Sequence, residues 1–174
     1  QDGNPVVRKS YGMADIEAHV TAKPAKTYRL ASVTKQFTAA AILLLAQDHR
    51  LSLDDPIRKW FPGLPAILDS ATITHLLTHS SGIVAYEDLI PEGTTAQVHD
   101  ADVLRLVESK DSIYFRPGTD YRYSNTGYSL LSLIVERASG KTFATFLHDR
   151  IFQPLGMNGT VAHQDGISSI SHRA

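Results

Sequence analysis

The chain has 174 residues, a size that fits one domain or two small lobes. Hydrophobic residues make up 43% and charged residues 20%, ordinary for a globular protein, and a formal net charge of −1 gives no strong field to attract nucleic acid or an anionic membrane. No cysteine is present, which excludes disulfides and thiolate metal sites and leaves the redox compartment open.

In chain order, Gln1 to Pro5 reads as a turn, and residues 6–14 read as a strand with Gly12 as a possible bulge. Residues 15–26 are polar, carry Pro24 and read as a loop. The next stretch, Arg29 to Ala46, is the most apolar run, and nothing from Ala39 to Ala46 is polar. A helix apolar all round is expected to be buried, and this one is too short for a membrane span, which needs about 20 apolar residues. The pattern therefore predicts a central core helix from about Ser32 to His49, stopping at His49-Arg50 without the usual glycine.

Asp54-Asp55-Pro56 predicts a short helix with a carboxylate N-cap and proline at its first position. Residues 72–82 predict a two-turn helix ending at Gly82, and residues 83–98 a long loop of the kind that often carries function. A helix is expected over 100–107 with Asp100 as N-cap, a turn at 116–119, and a short extended piece at 121–125. Thr126 then opens a helix to about Ala138, closed by Gly140, and Thr142 caps a last one to about Arg150. The tail from Asn158 is Gly/Ser-rich and weakly patterned. A single strand cannot stand alone, so a sheet partner is expected from another chain or from residues not in this sequence.

Two places could carry chemistry. Three helical residues at about 100° each bring Lys35 within about 60° of Ser32, one turn along. Ser-x-x-Lys alone is weak, since about one chance match is expected in a chain this size. Its plain reading is an N-cap serine and a solvated lysine. The functional reading places an amine beside a hydroxyl at the front of a buried helix, a base beside a nucleophile, with the Ser32 N–H free to face an oxyanion. Tyr123-Ser124-Asn125 is the second place. Tyr123 could be core packing or a proton shuttle, and Asn125 a helix cap or a clamp on substrate.

Together, Ser32-Val33-Thr34-Lys35 and Tyr123-Ser124-Asn125 resemble the serine β-lactamase and penicillin-binding protein superfamily. Tyr-Ser-Asn is similar to the class C-like branch, which includes β-lactamases, DD-peptidases, D-amino-acid peptidases and esterases. Leu53 to Pro56, His75 to Gly82, Phe115 to Gly118, Tyr123 to Tyr128 and Ile151 to Met157 agree in family order. The resemblance implies an α+β, β-lactamase/transpeptidase-like fold. It implies that Ser32 is acylated, that Lys35 and Tyr123 share and pass on its proton, that Tyr123 helps activate the deacylating water, and that Asn125 holds the acyl side chain. It implies no cofactor, and a small-molecule or peptide substrate: a β-lactam, a D-amino-acid peptide or a short ester. Localisation stays open, with export slightly favoured.

The family's third motif, Lys-Thr-Gly or His-x-Gly, is not found after Met157, and Lys141-Thr142-Phe143 lacks the glycine. The expectation is thus a partial domain: a sheet-edge strand and lead-in over 1–30, a helical lobe over 31–160, and the start of a missing C-terminal part over 161–174. A complementing chain or a C-terminal half would supply the rest. The alternative is a catalytically incomplete or non-catalytic module. Tyr86, in the long loop, could line the cleft or simply pack. His75 and His79, spaced i, i+4, are expected to make hydrogen bonds at a helix end rather than to hold a metal, since His-Glu-x-x-His is absent.

Overall fold

A computed structural model describes residues 2–164 and residue 168. The expected features of the tail fall partly on residues outside these. Among the described residues no helix is long and apolar enough to cross a membrane.

The strand expected over 6–14 is mostly absent. Val6 and Val7 lie outside any strand and are 76% and 74% exposed. The sheet is a small antiparallel hairpin of β1 (Met13–Asp15) and β2 (Val20–Thr21). β2 falls inside the stretch read as a loop, because a two-residue strand is too short for alternation to reveal. Polar chemistry makes the turn. Asp15 Oδ1 accepts the Ala18 N–H at 2.8 Å, and His19 takes a left-handed φ of 51°. Gly12, at φ 75°, lets its carbonyl accept the Ala22 N–H at 3.0 Å, and the register irregularity lies just beyond it, between Met13 and Asp15.

The apolar run forms a 3₁₀ turn, Ala31–Thr34, followed by α1 (Lys35–Gln47). It is not buried all round. Thr38, Ala41, Ile42 and Leu45 are buried, but Leu43 and Val33 are 52% and 56% exposed. The helix ends as expected, with His49 left-handed at φ 55°. The central helix is instead α5 (Asn125–Ser139). It packs against α1, α3 (Ile73–Leu77), α4 (Asp100–Glu108) and α6 (Phe143–Leu147), and buries Leu130, Leu131, Ile134, Val135 and Ala138. Two adjacent apolar ridges, rather than one continuous apolar surface, let one helix meet neighbours on several sides. Each fully buried leucine or isoleucine contributes about 1.5–3 kcal/mol.

Several caps differ from expectation. Pro56 is itself the N-cap of α2 (Ile57–Trp60), while the Asp55 carboxylate accepts from Ser52 N–H at 3.1 Å and from Lys59 Nζ at 2.8 Å. His99, not Asp100, caps α4, and Asp102 reaches back to the His99 N–H at 3.0 Å. Ser124 caps α5 by accepting the Gly127 N–H at 3.0 Å, which leaves Asn125 as the first helical residue with its amide free for other contacts. Thr72 and Thr142 cap as expected, and Gly140 closes α5 at φ 73°. The helix at 72–82 is shorter than expected, because the chain leaves it at Thr78 and turns through His79. The last helix also stops early, at Leu147, and passes into a wider π turn, His148–Phe152.

Candidate active site

The front end of α1 and the front end of α5 meet at one point, and the first residue of each helix together with the segment leading into it supplies the site. Ser32 lies exposed in the 3₁₀ turn, just after Ala31, which is held at a left-handed φ of 46°. That conformation is costly for a residue with a Cβ. The turn's first backbone bond is from Val33 N–H to the Leu30 carbonyl at 3.1 Å, so the Ser32 N–H lies ahead of it at the open end.

The Tyr123 hydroxyl donates to Ser32 Oγ at 2.7 Å. Lys35 Nζ stands 3.4 Å from the same oxygen and donates to Asn125 Oδ1 at 2.8 Å. The ammonium also lies 4.7 Å from the Tyr123 ring centre and 5.4 Å from that of Tyr128. Lys35 is half-buried and held by an amide oxygen, rather than buried in an apolar helix. The Lys35 ammonium beside its hydroxyl, and then the Ser32 hydroxyl, hold the Tyr123 phenol below the usual tyrosine range. The arrangement can deprotonate a hydroxyl: one line of hydrogen bonds joins nucleophile, phenol and amine.

Ser32, Lys35, Tyr123 and Asn125 are thus brought together as the sequence suggested. Tyr86 lies half-buried against the core, where burial and the Glu87 charge push its phenol up. Its N–H donates to Thr126 Oγ1 at 2.9 Å, and its carbonyl accepts the Leu89 N–H at 2.9 Å. The neighbouring Glu87 reaches the site and accepts from Asn125 Nδ2 at 2.8 Å. The sequence carries no signal for Glu87 beyond its place in the long loop, of a kind that often carries function.

Sequence reading also missed the place of His79. Its Nδ1 accepts the Ser124 N–H at 3.1 Å. His75 Nδ1 accepts the Thr72 N–H at 3.1 Å and completes the cap of α3. Both imidazoles are used in backbone hydrogen bonds, as expected. Among the described residues no group of three or more His, Asp or Glu side chains could hold a metal.

The family model described as Beta-lactamase matches residues 1–169. The chain belongs to the beta-lactamase family. It is 35% identical over 171 residues to Penicillin-binding protein 4* of Bacillus subtilis (strain 168), covering 97% of this chain and 38% of that protein. The octameric penicillin-binding protein homologue from Pyrococcus abyssi superposes with a TM-score of 0.83 at 32% identity, covering 100% of this chain and 41% of that one. The D-amino acid amidase from Ochrobactrum anthropi SV3, complexed with L-phenylalanine, gives 0.82 at 32% identity, covering 94% and 45%. This beta-lactamase-family chain therefore spans less than half the length of these relatives, and the likeness places it in the serine β-lactamase and penicillin-binding protein superfamily with the corresponding α+β fold.

Proposed function

We propose that the chain carries the nucleophile side of a serine hydrolase of the class C-like branch, working through an acyl-enzyme. The observation that carries this reading is the 2.7 Å contact between the Tyr123 hydroxyl and Ser32 Oγ with Lys35 beside it. With Tyr123 as phenolate, the same contact runs in reverse: Ser32 gives its proton to Tyr123 as Oγ bonds to the substrate carbonyl. The tetrahedral oxyanion draws on the Ser32 N–H. Collapse breaks the bond to the leaving amine or alcohol, which takes the proton back from Tyr123, and Lys35 keeps the phenol's charge balanced. Water then attacks the acyl carbon by the same proton path and frees Ser32.

The substrate classes are a β-lactam, a D-amino-acid peptide or amide, and a short ester. The Glu87 carboxylate beside Asn125 supports a substrate with a free amino group next to its carbonyl, such as a D-amino-acid amide. The likeness to a D-amino acid amidase supports the same choice. Incubation with a fluorescent penicillin or a p-nitrophenyl ester, followed by mass spectrometry, is expected to put one acyl group on Ser32. Labelling that persists in Ser32→Ala would sink the assignment.

A second reading is acylation without efficient turnover by the 174 residues alone. Its support is the openness of the site: Ser32 is exposed and Tyr123 is 47% exposed. A burst of product followed by a stalled acyl-enzyme supports this reading, and sustained hydrolysis at enzyme-like rates rules it out. A complementing chain or a C-terminal segment would then restore turnover.

A further inference from the structure

Tyr123 has no regular element of its own to hold it. It lies in an extended piece between the 116–119 turn and α5, half-exposed, yet its hydroxyl must stand within hydrogen-bond reach of a residue on another helix. Its neighbours on both sides are tied to one residue. The His79 carbonyl accepts the Arg122 N–H at 3.0 Å, and His79 Nδ1 accepts the Ser124 N–H at 3.1 Å. The imidazole also faces the Tyr123 ring at 4.6 Å between centres, tilted 35°, with Tyr128 at 5.0 Å and the edge of Tyr121 at 6.0 Å. His79 adopts a left-handed φ of 59°, which turns both its carbonyl and its ring toward this segment. The same turn is fastened by Ser80, whose carbonyl accepts the Gly118 N–H at 2.8 Å.

We infer that His79 is a positioning residue for Tyr123, acting as a neutral clamp that bonds the backbone on either side of the phenol and backs its ring. The inference rests on the proposed role of Tyr123. Because Nδ1 accepts, the ring proton must sit on Nε2. Protonation would turn Nδ1 into a donor facing the Ser124 N–H, and the clamp would open. The groups facing the ring are the Lys35 ammonium and the phenols of Tyr121, Tyr123 and Tyr128, with the Arg122 guanidinium turned away onto the Tyr114 ring at 3.8 Å. Burial first, and then the Lys35 charge, hold the imidazole below the usual histidine range, in keeping with a neutral clamp.

The test has two parts on the 174-residue chain. Nitrogen-15 NMR of His79 is expected to report the Nε2–H tautomer at neutral pH, and the Nδ1–H tautomer overturns the inference. Acylation of Ser32 by a fluorescent penicillin is expected to slow about 10–100-fold in His79→Ala, as a catalytic group drifts by about an ångström. His79→Asn, whose Oδ1 can replace Nδ1 and which tolerates positive φ, is expected to stay near the wild-type rate. In His79→Ala the Tyr123 phenol should titrate nearer its ordinary value. Unchanged acylation or an unchanged Tyr123 titration in His79→Ala, or His79→Asn as slow as His79→Ala, overturns the inference. If His79→Ala does not fold, His79→Asn and the tautomer decide. Wild-type chain that never acylates ends the functional reading alone, and the tautomer and the Tyr123 titration still judge the clamp.

Discussion

Tyr123 and Ser32 are 91 positions apart in sequence, and the hydroxyl of one lies 2.7 Å from the hydroxyl of the other. The contact joins the loop before α5 to the turn before α1, and in the proposed mechanism it is the path of the Ser32 proton. Tyr123→Phe removes that acceptor and little else. Acylation of Ser32 is expected to fall about 10²–10⁴-fold. Because the ring is half-exposed, stability should change by no more than about 0.5 kcal/mol. Burst kinetics and a thermal melt on the same sample separate the two.

Glu87→Gln keeps the hydrogen bond to Asn125 and removes the charge. Hydrolysis or acylation by a D-amino-acid amide with a free amino group is expected to weaken about tenfold, the worth of one charge-assisted contact near the surface, while a neutral p-nitrophenyl ester is little affected. Equal losses on both substrates would show that Glu87 supports Asn125 rather than selecting a cation.

Stability should fall on acidification in two stages. His79 is held below its ordinary value by burial and by Lys35, so between the two values the unfolded chain binds the extra proton. Its contribution is present above about pH 6.5 and is lost as pH falls through the lower folded value. The carboxylates follow. Arg150 lowers Asp48 through a hydrogen bond of 2.5 Å, Lys141 lowers Asp149 at 2.6 Å, and the His99 N–H and then Arg105 lower Asp102. Their contributions are present above the usual carboxylate range and are lost below it. Thermal melts from pH 8 to pH 3 should show both stages, and His79→Asn should lack the first.

Leu131 and Leu43 test which helix carries the core. Leu131, in α5, is fully buried, and Leu43, in α1, is 52% exposed. Leu131→Ala is expected to cost about 2–5 kcal/mol, and Leu43→Ala within about 0.5 kcal/mol. Denaturant melts of the two variants decide, and equal losses would mean that the outer face of α1 is covered in solution.

Gly82 has φ 69°, and a Cβ there would run into the Phe115 carbonyl oxygen. Its own carbonyl accepts the Tyr114 N–H at 2.8 Å, so the close approach holds the 113–118 segment against the 79–83 turn. Gly82→Ala is expected to destabilise by more than about 1 kcal/mol and to slow acylation by loosening the segment that leads to Tyr123. A chemical melt with parallel labelling of Ser32 checks both.

The two motifs were legible because each is local. Ser32 and Lys35 sit one turn apart wherever the chain coils, and the order of helices followed from apolar periodicity and capping chemistry. The errors were also local in cause. A two-residue strand leaves no alternation to read, so β2 passed for loop. An unbroken apolar run looked buried all round, though exposure of Leu43 depends on what packs against it. Asp100 looked like a cap because its side chain can cap, while the backbone placed His99 there.

By itself the sequence determined the family and the candidate residues: a serine and a lysine on one helical face, and a tyrosine and an asparagine at the start of another helix. Those are matters of residue type and short spacing, which the chain carries in one dimension. Only the tertiary structure decided that Tyr123 reaches Ser32, that Glu87 accepts from Asn125, and that His79 holds the segment between. Each of these joins residues 38 to 91 positions apart, and such contacts exist only once α1, α3 and α5 have closed around a shared core.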